Sequence, residues 1–421
     1  MIWVPIAIIV LLAYIGLLQQ TRGTAIRHVR GVGADGVPVA PHEPQFPASV
    51  TLLTGAVLSP GNLVQVALSG RQTCERMWAD LQSAQRTILL QLYYGQPGRM
   101  ADQLCRILVE RAAAGVHVFL LYDAFGAHGF LDAHLAEYRK AGIRVAAFRP
   151  LRLSTLHLAQ NRSHVRGIVV DSRVAWTGGF GIDDKWLGDG VSHRSWRETN
   201  VRFEGPAVRQ MQAAFATAWT EATGVLFTGR VTATPQPDGV TAGLLYTTPA
   251  LGSTTAERFM AMSIAGATRR LFVTTAYFAP DPTFVELLTT ASTRGVDVRI
   301  LTAGRSTDVH LVRLAGRASY DTLLSAGVRI YEWRPTMLHA KTFVVDGIWS
   351  SIGSMNFDNR SLALNDEATL MVLDEQVGKQ METIFMDDLR HAEEITLERF
   401  RRRSRIGRLG EPIASLINRL L

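Results

Sequence analysis

His164-Val-Arg-Gly-Ile-Val-Val-Asp171 and His339-Ala-Lys-Thr-Phe-Val-Val-Asp346 are two copies of one pattern, His-x-cation-x-x-x-x-Asp, set 175 residues apart. Two further pairs of segments accompany them. Gly115-Val-His-Val-Phe-Leu-Leu-Tyr-Asp123 answers Gly295-Val-Asp-Val-Arg-Ile-Leu-Thr302 at a separation of 180. Ala141-Gly-Ile-Arg-Val145, followed by Arg149-Pro150, answers Ala326-Gly-Val-Arg-Ile330, followed by Arg334-Pro335, at 185. Near-constant offsets over three segments indicate a duplicated domain, not a short-period solenoid. Within each copy, apolar strand-like runs (87–94 and 116–122; 271–277 and 296–301) alternate with helical periodicity (100–114; 282–294). That alternation predicts an α/β fold, two tandem sandwich domains each with a central sheet.

The duplicated motif is where chemistry is expected. Along a strand, side chains alternate faces, so an imidazole and the cation two residues on share a face, while the Asp seven residues on points away. Asp171 and Asp346 are therefore expected in turn or hydrogen-bonding roles. One His-x-Lys is common by chance; two in register within a repeat are not. Packed about a pseudo-twofold axis, the halves would bring His164, Arg166, His339 and Lys341 to one cleft. Histidine serves as nucleophile or acid/base near neutrality.

The chain has 421 residues, 47% hydrophobic and 19% charged, which is a folded composition. A formal net charge of +7 favours anionic partners without choosing among them. Lysines are only Lys140, Lys185, Lys341 and Lys379, so almost all the positive charge is arginine. Cys74 and Cys105 lack metal-ligand spacing and read as core residues. Ile2 to Leu18 is an uncharged apolar run followed by Arg22, Arg27 and Arg30. It reads as a single transmembrane helix rather than a cleaved signal peptide, with the body on the cytoplasmic side of the cell (inner) membrane by the positive-inside rule. The expected organisation is a transmembrane helix over 1–22, a linker over 23–48, a first domain over 49–228, a link over 229–239, a second domain over 240–398 and a basic amphipathic tail over 399–421. In that tail Arg399, Arg401, Arg402, Arg403, Arg405 and Arg408 precede an apolar face of Ile413, Leu416, Ile417 and Leu420, a pattern suited to an anionic membrane surface.

Pro335-Thr-Met-Leu-His-Ala-Lys-Thr-Phe-Val-Val-Asp346 with Gly353-Ser-Met-Asn-Phe-Asp-Asn-Arg-Ser361, and in the first half Thr177-Gly-Gly-Phe180 with Val201-Arg-Phe-Glu-Gly-Pro206, resemble the phospholipase D superfamily, in particular the bacterial cardiolipin synthases. The resemblance covers about residues 64 to 421. It implies a phosphatidyltransferase that joins phosphatidylglycerol molecules through a phosphohistidine and releases glycerol, with no metal and no cofactor. Phospholipase D-type hydrolysis is the alternative, and nucleic acid is not an expected substrate. It implies His164 as nucleophile and His339 as general acid/base, although the sequence, nearly symmetric, does not settle which is which. Arg166 and Lys341 would hold phosphate oxygens. Glu198 and Glu367, at matching repeat positions, would pair with the histidines, and Ser354 and Asn356 would donate to phosphate or else shape the turn. The first half departs twice: Arg166 stands where lysine is usual, and Gly181 where the second half has Asn356. Oligomeric state stays open.

Overall fold

The computed structural model describes residues 26–403 except 32–35, 152–158, 193–194, 227, 229–231 and 251. The apolar run 2–18 and most of the basic tail lie outside the described residues. Among the described residues no helix is long and apolar enough to cross a membrane.

Seven strands come from the first half: β1 (Ser59–Ala67), β2 (Thr87–Leu92), β3 (His117–Asp123), β4 (Arg144–Phe148), β5 (Gly167–Val170), β6 (Val174–Gly178) and β7 (Asn200–Glu204). The second half supplies β8 (Val240–Thr247), β9 (Arg270–Thr275), β10 (Phe278–Ala279), β11 (Asp297–Ala303), β12 (Arg329–Trp333), β13 (Lys341–Val345), β14 (Trp349–Gly353), β15 (Phe357–Asp358), β16 (Glu367–Leu373) and β17 (Ala392–Ile395). Fifteen of them form one sheet, in the order β17-β12-β11-β9-β13-β14-β16-β8-β1-β7-β6-β5-β2-β3-β4. Outward from the β8–β1 pair the two sides repeat strand for strand: β1 answers β8, β7 answers β16, β6 answers β14, β5 answers β13, and so on to β4 and β12. Sequence periodicity suggested a separate sheet in each half. The structure instead fuses them edge to edge, because β1 pairs antiparallel with both β7 and β8. An edge that would otherwise offer unpaired backbone groups is thereby used up.

The glycines that made the repeat visible have a structural cause. Gly115 (φ 89°) and Gly295 (φ 93°) follow the helices Arg99–Ala113 and Pro282–Thr293 in left-handed conformation, which ends each helix and turns the chain into the next strand.

The sheet packs on both faces. On one, the helices Ala207–Thr223 and Glu375–Leu389 share a single apolar core that takes Leu89 and Phe119 from the first half and Phe272 and Val344 from the second. On the other face each half has its own core, with Ile88, Leu90 and Trp176 in the first and Leu271, Phe343 and Trp349 in the second. Cys74 and Cys105 are buried in the former. The helix Phe46–Thr54, early in the chain, crosses over to the second half: Phe46 meets Trp349 edge-on at 5.0 Å. Ile26, Val29 and Val39 pack against that same core. Of the basic cluster, Arg401 pairs with Asp321 at 2.8 Å and Arg402 with Glu398 at 2.7 Å.

Both motif aspartates sit in the turns after β5 and β13 at positive φ (53° and 54°). Asp171 accepts the backbone N–H groups of Gln85, Arg86 and Thr87, each at 2.8 Å. Asp346 does the same for Thr268, Arg269 and Arg270 at 2.9, 2.7 and 2.8 Å. Each carboxylate thus fixes the start of the neighbouring antiparallel strand, β2 in one case and β9 in the other. Asp346→Ala leaves four donors, these three and the Thr268 hydroxyl, without their acceptor, and chemical denaturation should show roughly 2–4 kcal/mol of lost stability.

Candidate active site

The histidines do not lie in the strands that the alternation argument assumed. β5 begins at Gly167 and β13 at Lys341, so His164, Arg166 and His339 belong to the approach segments. These segments are held by the opposite half. Ser163 bridges Asp366 and Leu338 bridges Arg197, both in parallel register. The His164 N–H donates to the Asp366 carbonyl at 2.9 Å, and the His339 N–H to the Arg197 carbonyl at 2.7 Å. The residue after each bridge residue is a glutamate, so the register sets a carboxylate beside each imidazole.

The result is a crossed arrangement. Nδ1 of His164 lies 2.9 Å from Oε1 of Glu367, in the second half. Nδ1 of His339 lies 2.7 Å from Oε2 of Glu198, in the first. All four groups are buried. A carboxylate only accepts, so each pair puts the imidazole proton on Nδ1 and turns Nε2 away from the carboxylate. Arg197 is locked by a two-pronged ion pair to Asp388 (2.9 and 2.7 Å), and Asp366 by Arg149 at 3.2 Å. Both locks join the halves.

Arg166 and Lys341, also buried, each donate to the carbonyl of the histidine two residues earlier, Arg166 at 3.2 Å. Arg166 lies over Tyr93 at 5.5 Å, and Tyr93 meets the His164 ring edge-on at 4.8 Å. Around His339 stand Trp196 at 5.1 Å, Trp186 at 5.5 Å and Tyr277 at 6.4 Å between ring centroids.

Dryness and like charge together set the titration. Burial, with Arg166 next, lowers His164 to about 4. Burial, with Lys341 and Arg166 next, holds His339 well below its ordinary value. Burial brings Lys341 down to about 7. The two glutamates differ. Burial pushes both up, but His164 and hydroxyls from Ser354 and Ser361 bring Glu367 below its ordinary value, whereas Glu198 stays raised.

That difference traces to the first-half departures. Ser354, expected to donate to phosphate or to shape the turn, gives its one hydroxyl proton to Glu367 and so orients that carboxylate. Asn356 is buried, with Oδ1 making no hydrogen bond to described groups. In the first half Gly179 answers Ser354, and a Cβ there would come within 2.3 Å of the Glu198 carboxylate. Gly181 answers Asn356, and a Cβ there would lie 2.8 Å from the Trp186 ring. Trp186, which answers Ser361, fills that space and donates its indole N–H to Glu198 at 3.4 Å. Sequence reading passed over Trp186, Trp196, Tyr93 and Tyr277. Only Trp196 had a signal, its place beside Arg197-Glu198.

Over residues 77–219 and 260–389 the chain matches the family described as cardiolipin synthase, PLD-like domain, one stretch in each half. It is 35% identical over 361 residues to cardiolipin synthase A of Pseudomonas entomophila (strain L48), covering 86% of this chain and 75% of that protein. To cardiolipin synthase A of Pseudomonas putida (strain GB-1) it is 35% identical over 362 residues with the same coverage. Among solved structures, the phosphatidylserine synthase of Haemophilus influenzae Rd KW20 superposes with a TM-score of 0.64 at 13% identity, covering 85% of this chain and 95% of that one. A polyphosphate kinase from Porphyromonas gingivalis gives 0.53 at 13% identity, over 80% and 49%. At such identities the likeness is one of fold.

Gly181 and Trp186 compete for one volume, so their substitutions should couple. Gly181→Asn alone costs about 1–3 kcal/mol by overpacking. Combined with Trp186→Ser it should cost less than the sum of the two single changes by about 1 kcal/mol or more, measured as a double-mutant cycle in denaturant.

Proposed function

The chain belongs to the cardiolipin synthase family of phospholipase D-like proteins, and from that premise we propose that it moves a phosphatidyl group from one phosphatidylglycerol to another through a phosphohistidine, releasing glycerol. The enzyme is a cardiolipin synthase-like phosphatidyltransferase. The route through the site residues is our reading, and the crossed His–Glu pairs carry it.

In the first half-reaction Nε2 of His164 attacks the donor phosphorus. The bond from phosphorus to the glycerol headgroup oxygen breaks, and His339 gives that oxygen its proton. In the second, the terminal hydroxyl of another phosphatidylglycerol attacks the phosphorus and passes its proton to His339, and the His164–phosphorus bond breaks. Two phosphatidylglycerols give one cardiolipin and one glycerol. The asymmetry of the glutamates favours these roles: Glu367, the carboxylate held in its ionised form, backs the imidazole that must be neutral and nucleophilic. Arg166, Lys341 and Asn356 take the phosphoryl oxygens, where charge builds in the transition state. His339, depressed by burial and then by neighbouring cations, takes a proton more readily when an anionic phosphodiester offsets those cations. On this reading the substrate comes from a bilayer. Residues 2–18 anchor the chain, the basic tail adds an anionic-surface contact, and the body works on the cytoplasmic side.

Incubation with labelled phosphatidylglycerol vesicles should yield cardiolipin and free glycerol; phosphatidic acid alone would make the enzyme a hydrolase. Quenched in alkaline detergent, which preserves a phosphorus–nitrogen bond, His339→Ala should retain phosphatidyl label on protein, while His164→Ala should carry none and lose activity by at least about 10³-fold. For pH, Lys341 is charged below about 7 and neutral above it in the empty cleft. Phosphate binding is thus strong on the acid side, and kcat/KM should fall as pH rises through about 7. Lys341→Arg keeps its charge and should flatten that alkaline limb, even at lower absolute activity.

A further inference from the structure

Lys185 lies outside the duplicated motif, on the loop that carries Trp186. Its ammonium is 4.0 Å from the ring centroids of both Tyr94 and Trp196 and 4.9 Å from that of Trp186. Three faces of negative quadrupole hold a cation in place without neutralising it. Asp183 forms an ion pair with it at 3.5 Å, and 22% of the Lys185 side chain is exposed. The cage leads directly to the reacting centre. Trp196 and Trp186, which hold Lys185, are the rings that stand 5.1 and 5.5 Å from His339. One aromatic ring separates the ammonium from the imidazole. The loop is fixed there: the Trp196 N–H donates to the Lys185 carbonyl at 2.8 Å.

A transfer between two phosphatidylglycerols brings two phosphates into one cleft, and Arg166 with Lys341 is matched to the reacting one. The acceptor carries its own phosphodiester, one glycerol away from the hydroxyl that attacks. That hydroxyl must lie at His339, which takes its proton. A cation one ring's width beyond His339 is therefore at the distance the acceptor phosphate occupies. We propose that Lys185, caged by Tyr94, Trp186 and Trp196, is the binding site for the second phosphate, that of the acceptor phospholipid. The inference rests on the transferase reading above and adds to it the feature that selects a phosphorylated acceptor over a simple alcohol or water. Arg360 stands at the matching position 175 residues on. Its charge acts on Tyr93, which packs on His164. Each flank of the cleft thus carries a cation beyond the motif pair.

The test compares two acceptors with one donor. Purified full-length protein, Lys185→Met, Lys185→Gln and Lys185→Arg are assayed on phosphatidylglycerol vesicles for cardiolipin formation. They are also assayed for exchange of radiolabelled free glycerol into phosphatidylglycerol. The exchange uses the same donor and the same histidines, but its acceptor has no phosphate. Loss of a partly exposed charge-assisted contact should raise the apparent KM for cardiolipin formation roughly fivefold to tenfold in Lys185→Met and Lys185→Gln. Lys185→Arg should stay near wild type, and glycerol exchange should stay within about twofold in all three. Equal loss of both reactions, or loss of neither, overturns the second-phosphate site while leaving the transferase reading standing. Wild-type protein that exchanges glycerol but forms no cardiolipin overturns both.

Discussion

Each histidine in this fold is oriented by a carboxylate from the other half of the chain, 203 residues away for His164 and 141 for His339. Most of the architecture can be understood as what this crossing requires. A buried carboxylate beside a buried imidazole is tolerable only with its partner in place, so the two halves cannot drift apart without stranding both groups. The parallel bridges at Ser163–Asp366 and Leu338–Arg197 set the register. The Arg197–Asp388 and Arg149–Asp366 ion pairs hold that register from the flanks. The joined sheet and the core shared by two helices pack the two halves together around it.

Duplication gives a symmetric frame, and the side chains then break the symmetry. Glu367 is held by two serine hydroxyls and His164; Glu198 has an indole, the Thr199 N–H at 2.9 Å and His339. The change from Ser354 to Gly179 and from Asn356 to Gly181 is not decay of the first copy. Both glycines are required by what packs against them, a carboxylate in one case and the Trp186 ring in the other. One bulky donor replaces several small ones. The aromatic wall this creates on the His339 side is what confines Lys185.

The sequence revealed the repeat because its markers are local: a left-handed glycine after each helix, an apolar strand, a motif of fixed length. Strands β2, β3, β9 and β11 and the helices between them follow from such patterns, with ends shifted by a residue or two. The histidines, cations, glutamates and capping aspartates were visible for the same reason. What was not visible depends on distant partners. Nothing near His164 announces that its carboxylate comes from Asn365-Asp-Glu-Ala368 rather than from its own half. Fusion of the sheets turns on β1, whose strand Ser59–Ala67 has no motif. Phe46–Thr54 contains Pro47, Val50 and three threonine or serine residues, weak helix formers whose helix is sustained by burial of Phe46 and Val50 on the second half. Parity along a strand failed for the histidines because the strands start after them; the aspartates lie at the far ends of those strands, where they accept backbone N–H groups of the neighbouring strand's start.

The charges around the cleft nearly balance before any substrate arrives. Arg166 and Lys341 face Glu198 and Glu367, and burial together with the neighbouring cations holds both imidazoles below their ordinary values. The two buried cations are turned onto backbone carbonyls. A phosphodiester that enters brings one negative charge into a dry space where Coulomb forces are little screened. Two responses follow from that single charge. In the proposed route the cations turn their donors from the carbonyls to the phosphoryl oxygens, and one imidazole becomes able to hold a second proton. The imidazole with the ionised glutamate is already committed as nucleophile in the proposed route, so the proton belongs on the other. Substrate charge and acid catalysis are then coupled: the group to be cleaved is also what arms the acid that cleaves it.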